Sequence, residues 1–356
     1  MAGQEHRCDR TDDRINDRTN GGELVAVSAR DVARVAGVSV STVSRALSRP
    51  GEVAPETLAK VLDTARGMGY RPNLAARGLI TGRSGLIGLV VPDIENPFFA
   101  SVTKGVQDRA RAAGFAVVIA DSDEDPSQEA GLVREMAAQV EGIVVCSPRS
   151  PDQVVLDLAA ESTIVLVNRQ CGQIPAVLID NLAGVRLALE HLRALGHRRI
   201  AYVGGPATSW STRARWAAAR SFADAHPDTE LVDLGSFAPY VSGGVAAGDL
   251  LIASGASAVL AYNDLVAFGL LDRLAHRGVH VPGDISVVGV DNIPLSGLVS
   301  PALTSVGIPL VNCGRAGVDL LVARLHHPDT PAPHHHDLSF QLVVRDSTGP
   351  ANRPTA

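Results

Sequence analysis

Two short helical periods separated by a glycine occur early in the chain, in the run SARDVARVAGVSVSTVSRAL from Ser28 to Leu47. Val32, Ala33, Val35 and Ala36 give the first an apolar face. Ser28 and Asp31 form a capping-box-like start, and Gly37 stands where a positive φ would end the helix. Val38 turns back to the core. Ser39 is placed to cap a second helix that carries Val43 and Leu47 inward at i, i+4 spacing. A third period runs from Pro55 to Met68, with Leu58, Val61, Leu62 and Ala65 on one face and Gly69 after it. Pro55 suits the first helical position and Glu56 complements the dipole. Ala54 stands where a capping hydroxyl is usual and cannot cap, which costs this helix about 1 kcal/mol.

From Gly85 the texture changes to short Val/Ile/Leu runs followed by amphipathic stretches. The runs predict strands at Leu86–Val91, Ala116–Ala120, Gly142–Cys146, Ile164–Val167 and Val177–Ile179. A second series is predicted at Ile200–Val203, Leu231–Leu234, Ala258–Ala261 and Ile285–Val290. Helical patterns such as Phe99–Ala113, Ala183–Leu195 and Leu265–His276 lie between them. Alternation of strand and helix implies parallel sheets with right-handed crossovers, and two series imply two such subdomains.

Charge divides along the same line. Residues 27–83 hold nine Arg or Lys against four acids, a net +5, so that the rest of a chain of net charge −6 carries −11. A basic block on an acidic body is the footprint of a module that meets phosphate. The outer face of the second helix carries Val40, Ser41, Ser44 and Arg45, flanked by Ser39 and Thr42. Small side chains let a helix lie deep in the major groove, and an arginine can pair bidentately with guanine; an ordinary helical hairpin with a polar face is the plainer account.

In open parallel sheets ligands sit beyond the carboxyl ends of strands. The residues there are Asp93, Asn96, Phe98 and Phe99 after the first strand, Asp121 after the second and Asn168 after Ile164–Val167. Asp180 and Asn181 close the first series. In the second, Arg215 lies beyond GGPATSWS, Phe237 comes after Leu231–Leu234, Asn263 and Asp264 after Ala258–Ala261, and Asp291 after VVGV. An Arg, an Asn and an Asp around an aromatic face suit a polyhydroxylated ring. Strand-end Asp and Asn also cap helices, and only their convergence argues for a site.

The segments DVARVAGVS, STVSRAL, GYRPNLAARGL, PDIENPFF, IDNLAG, LGHRRIAYVGG, AYNDLVAFG, ISVVGVDN, LTSV and LVVRDST occur in the order found in the lactose-repressor (LacI) family, which the chain resembles from about Val27 to Gly349. The resemblance implies an all-α helix-turn-helix headpiece before an α/β, periplasmic-binding-protein-like core of two doubly wound parallel-sheet subdomains. It implies a DNA-binding domain at 27–71 and a hinge helix and linker at 72–84. In that hinge Asn73, Ala76, Arg77 and Leu79 would meet DNA, with Leu79 wedged into the central base step from the minor groove. The core would span 85–349, with a first subdomain at about 85–181 and 303–330 and a second at about 182–302 and 335–349. Leu303–Leu325 would return to the first lobe and Phe340–Val344 to the second. Effector contacts are implied at Arg215, Phe237, Asn263 and Asp291. Asn292 replaces a second acid common in relatives, and the spacing beyond Phe237 is one residue longer; both put the ligand's identity in doubt.

The implied protein is a transcriptional regulator, most simply a repressor. It would act as a homodimer on a pseudo-palindromic double-stranded operator and answer to a small molecule, either a sugar or glycoside or a nucleobase or nucleoside. After Val344 the run RDSTGPANRPTA, which ends in the tail 350–356, has none of the leucine heptads that tetrameric members of the family carry, and the resemblance thus implies a dimer. A transport solute-binding protein would share the core but need a signal sequence and no basic headpiece. No catalytic set, nucleotide fingerprint or cofactor motif can be picked out. His334–His336 has no partners at metal-ligand spacing. No apolar run approaches the ~20 residues that span a membrane, and Cys8, Cys146, Cys171 and Cys313 read as reduced thiols of a cytoplasmic protein. Residues 1–26 alternate Arg with Asp and cannot bury enough surface to fold. Gly21–Glu23 also reads as purine-rich codons ahead of Val25 or Val27, so a later translation start stands beside the unfolded-tail account.

Overall fold

A computed structural model of the chain describes residues 27–48, 50–70, 84–328 and 340–352. The chain divides into two compact units, one on each side of Gly82 and Arg83. The expectations for residues 1–26, for the hinge residues Asn73, Ala76, Arg77 and Leu79, and for His334–His336 lie outside the described residues.

The first unit is a three-helix cluster: α1 (Ala29–Ala36), α2 (Val40–Ser48) and α3 (Pro55–Gly67). The capping box forms as expected. Ser28 Oγ accepts from the Asp31 N–H while the Asp31 carboxylate accepts from the Ser28 N–H. Gly37 takes φ 63°, the left-handed conformation that costs glycine nothing. Ser39 Oγ accepts from Thr42 N at 3.1 Å and caps α2. Ala54 precedes α3 with no side-chain cap. Val32, Ala33, Ala36, Val43, Ala46, Val61 and Ala65 make the core. Val35, expected on the buried face, is 57% exposed; on so short a helix the core is already filled by Val32, Ala33 and Ala36, and position 35 turns to the outside.

The second unit holds two sheets. The first, in the order β2-β1-β3-β4-β5, is all parallel and comprises β1 (Leu86–Val91), β2 (Ala116–Asp121), β3 (Ile143–Cys146), β4 (Ile164–Val167) and β5 (Ala176–Val177). Alternate residues of its central strands face opposite layers. Val144, Cys146, Val165 and Val167 pack under α4 (Pro97–Ala112) and α11 (Leu310–His326). Ile143, Val145, Ile164 and Leu166 pack with α5 (Pro126–Ala137) and α6 (Asp152–Glu161). Burial on both faces is why these strands read as unbroken apolar runs.

The second sheet runs β11-β10-β9-β8-β6-β7, from β6 (Arg199–Gly204), β7 (Glu230–Ser236), β8 (Ala258–Ala261), β9 (Ser286–Asp291), β10 (Thr304–Gly307) and β11 (Gln341–Val343). It is parallel except for β11, which pairs antiparallel with β10. Its helices are α7 (Asn181–Ala194), α8 (Trp210–Ala225), α9 (Val241–Ala253) and α10 (Asp264–His276).

One expectation is corrected by these pairings. Leu303 to Gly307, assigned to the first lobe from the sequence, belongs to the second: Thr304–Gly307 aligns in parallel with Val288–Asp291. The chain recrosses only at Ile308–Pro309, and α11 alone returns to the first lobe. A four-residue apolar strand fits either sheet, and its free edge partner was β9.

Helix–helix contact in both lobes is made by glycine. A Cβ on Gly105 of α4 would lie 2.0 Å from the Val311 carbonyl oxygen, and one on Gly314 of α11 would lie 2.1 Å from that of Val102. Gly244 of α9 and Gly269 of α10 meet Val266 and Val241 carbonyls in the same way. Backbones touch here with no room for a methyl group.

Candidate functional site

The exposed face of α2 is small and cationic. Val40 is 43% exposed, and Ser41 and Arg45 are exposed beside it. Arg45 Nε reaches the Ser41 carbonyl at 3.4 Å, so the guanidinium lies along the helix surface. The Ser39 hydroxyl lies 2.8 Å from those of both Ser41 and Thr42, and Thr42 and Ser44 are half-buried. Helix α2 thus presents hydroxyls and a valine from its first turn and an arginine from its last on one side, and Val43 and Ala46 to the core on the other.

Within the second unit, the carboxyl ends of the two sheets face one cleft. Of the effector-contact candidates, Phe98, Asn168, Arg215, Asn263 and Asp291 come together on its walls. Asp121 and Phe237 do not. Asp121 turns both oxygens to the backbone, accepting from Ile94 N at 2.8 Å and Asp123 N at 2.9 Å. Phe237 packs half-buried against the second-lobe core. Sequence reasoning missed Glu124, Ser147, Arg149, Pro239 and Tyr262, which also line the cleft.

Each charged group is fixed by its own lobe. Arg149 is 3% exposed and forks onto Glu124 at 2.5 and 2.8 Å, with its third nitrogen on the Ser147 carbonyl. Glu129 accepts from the backbone N–H groups of Arg149 and Ser150 and fixes that loop to α5. In the second lobe Arg215 donates from Nε to Asn181 at 2.8 Å and from Nη1 to the Tyr262 carbonyl, and its guanidinium sits 5.2 Å from the Tyr262 ring centroid. Asn263 is spent twice, capping α10 through Val266 N and donating to the Pro239 carbonyl. Asn168 donates to Ser147 and accepts from Ser211 at 3.3 Å, a direct link from the first lobe to the second.

Asp291 is the exception. Its carboxylate is 6% exposed, Oδ1 takes no hydrogen bond, and Arg215 Nη2 is 3.7 Å away. Burial raises its pKa well above the ordinary range; Arg215 opposes that shift and Asp264 adds to it. Asp264 lies beneath the cleft. It accepts from Ile293 N, Ser296 and Ser305, and burial pushes its pKa up to about 6.

Backbone strain gathers in the same place. All six positive-φ residues other than glycine among the described residues lie at or just past strand ends: Asp123, Glu124, Ser147, Asn168, Asp291 and Asn292. Such strain persists where surrounding structure holds it, commonly at binding sites. The lobes stand close, leaving a cavity of about 20 Å³ between them. That is room for about one water, so a larger guest requires the lobes to part or side chains to move.

A small helical unit with an exposed polar and cationic face, on one chain with a two-lobed core around a polar cleft, is the organisation of a ligand-binding, DNA-binding regulator. Residues 28–73 match the bacterial regulatory proteins of the lacI family, and residues 189–348 match the periplasmic binding protein-like domain. The HTH-type transcriptional regulator DegA of Bacillus subtilis is 32% identical over 332 residues, 90% of this chain and 98% of that one. Among solved structures, the lac repressor dimer bound to operator and the anti-inducer ONPF superposes with a TM-score of 0.79 at 26% identity, covering 91% of this chain and 99% of that one. A ribose-bound LacI-family regulator from Enterococcus faecium gives 0.66 at 29% identity, over 74% of this chain and 99% of that one. The chain belongs to the LacI family of bacterial transcriptional regulators. Among the described residues no helix is long and apolar enough to cross a membrane.

Proposed function

We propose that this protein is a cytoplasmic repressor, not an enzyme, whose operator affinity is set by a sugar or glycoside held in the cleft. The observation that carries the reading is Asp291 Oδ1, a buried acceptor with no partner on a wall shared with Arg215, Phe98 and Asn168. A buried carboxylate oxygen without a hydrogen bond is costly, and a ligand hydroxyl would satisfy it. Arg215 orients that carboxylate, and Phe98 offers an apolar surface to the C–H groups of a ring.

Two copies would place α2 in successive major grooves of a pseudo-palindromic site. Arg45, Ser41 and Val40 then meet base edges, and Ser39, Thr42 and Ser44 meet phosphates or the groove wall. Asn73, Ala76, Arg77 and Leu79 would meet the centre of that site. Asn168 and Ser211 already join the lobes, so a guest that holds them apart or draws them together shifts the balance between two lobe arrangements by its differential affinity. The sugar-bound relative supports this ligand class.

A thermal-shift screen of the full chain against sugars, glycosides, nucleosides and nucleobases tests it, followed by operator anisotropy with each hit on a site selected from random duplexes. A sugar that raises the melting temperature and changes operator affinity supports the reading. A nucleoside or nucleobase as the sole hit overturns its ligand class.

A further inference from the structure

We infer that the effector is uncharged: the cleft is built to take a neutral hydroxyl donor and to reject phosphorylated or carboxylated sugars. This rests on the cleft being the effector site, and it names the charge class that the reading above leaves open.

A cleft that captures an anion keeps a cation in reserve, typically an arginine with two free donors aimed at the guest. Neither arginine here stands clear of a carboxylate. Arg149 spends Nε and Nη2 on Glu124 and Nη1 on the Ser147 carbonyl. Arg215 spends Nε on Asn181 and Nη1 on Tyr262, and its Nη2 faces Asp291. Each guanidinium already has a carboxylate of its own lobe facing it. At the second pair the 3.7 Å gap leaves the acceptor Asp291 Oδ1 and the Arg215 Nη2 donors unbonded to each other. A hydroxyl can serve both, donating to Asp291 and accepting from Arg215, whereas a phosphate or carboxylate offers only acceptors and leaves Asp291 unmet.

The surroundings add negative charge. Asp93, Asp121 and Asp123 lie on the same strand-end loops as Glu124, behind the residues that line the cleft. Their field, with that of Glu124, falls on Tyr240 across the cleft and adds to the burial that pushes its hydroxyl up to about 12. Asp93 is itself 8% exposed and raised by burial, with Asp121 and Glu124 contributing. These carboxylates oppose an incoming anion through their field, which the low dielectric between the lobes strengthens.

Titration calorimetry of the full chain with matched pairs tests the inference: ribose against ribose 5-phosphate, glucose against glucose 6-phosphate and gluconate, adenosine against adenosine monophosphate. In whichever set binds, the neutral member is expected to bind at least about tenfold tighter, a difference of about 1.4 kcal/mol. Its affinity should also be insensitive to salt. Asp123→Asn removes one of these charges at a position whose φ of 50° suits asparagine equally, and it should narrow the ratio without weakening the neutral ligand. An anionic member that binds as tightly as its neutral partner and shifts operator affinity overturns the charge inference while leaving the cleft reading standing. No binding by any member, with Asp291→Asn leaving operator control intact, overturns the cleft reading and this inference with it.

Discussion

Arg215 and Asp291 face one another at 3.7 Å with side chains 4% and 6% exposed, yet Asp291 Oδ1 has no hydrogen bond. The pair is close enough to neutralise and too far apart to satisfy. Removing one partner of a buried ion pair strands the other, at a cost of about 3–5 kcal/mol. Arg215→Ala should lose stability on that scale by urea denaturation. Asp291→Asn keeps a polar side chain of the same size opposite Arg215, whose Nε and Nη1 stay bonded. It should lose clearly less stability while abolishing ligand-induced stabilisation. Equal losses for the two variants would refute that asymmetry.

Arg45 lies on the exposed face of α2 and makes no contact with the headpiece core. Arg45→Ala should leave the far-ultraviolet dichroism and melting temperature unchanged and reduce discrimination between operator and random duplex. A bidentate arginine–guanine contact is worth about 1–3 kcal/mol, or roughly 5- to 150-fold. Competition anisotropy reads this directly, and unchanged discrimination would remove Arg45 from the base-reading set.

Raising salt should weaken operator binding steeply, because phosphate contacts release counterions. The slope of log affinity against log salt is the measurement. A flat slope would contradict docking through the basic block at residues 27–83.

Asp264 ties stability to pH. Its pKa rises from the ordinary 3.8 to about 6 in the folded chain, chiefly through burial. Between those values the folded state binds more protons than the unfolded one, so stability falls as pH rises through this window. The penalty is fully present above about pH 6 and amounts to up to about 3 kcal/mol. Asp264→Asn removes it. The stability difference, variant minus wild type, should be more favourable to the variant at pH 7.5 than at pH 4.5; a pH-independent difference would show that Asp264 titrates normally.

Gly314→Ala should destabilise the core by about 1–3 kcal/mol through overpacking, since its new methyl group meets the Val102 carbonyl of α4. Gly131→Ala, on α5 where nothing lies within 4 Å, is the control and should be neutral or slightly stabilising.

Much of this molecule is written locally. Ile164–Val167 and Ala258–Ala261 begin and end where their apolar runs do, because both faces are buried and the flanks are polar. Phe98, Asn168, Arg215, Asn263 and Asp291 are legible because they lie just beyond the carboxyl ends of strands, where the topology of parallel sheets puts a ligand. Relationships between distant segments were not written locally. Glu124 and Arg149 are 25 residues apart and meet only because β2 and β3 flank β1. Tyr262 sits immediately before Asn263 in a buried stretch and looks like core from its neighbours alone. Asp121 had the right position and the wrong direction, its oxygens claimed by two N–H groups of its own lobe. Val35 and β10 show the same limit from the side of packing: which apolar residue is left outside, and which sheet takes a short strand, depends on partners elsewhere.

The glycine-lined seam between α4 and α11 joins a helix near the start of the core to one near its end. The first lobe therefore lacks a cover for β3, β4 and β5 until His326 has left the ribosome, and the second lacks β11 and the Ser347 bonds to Val287 and Thr304 until later still. The headpiece closes its own core within residues 27–70. During translation the helical unit can close its core first, while each lobe waits on segments that follow Gly307. A chain stopped before Leu310 would carry a finished helical unit and no finished lobe, and so no cleft to hold an effector.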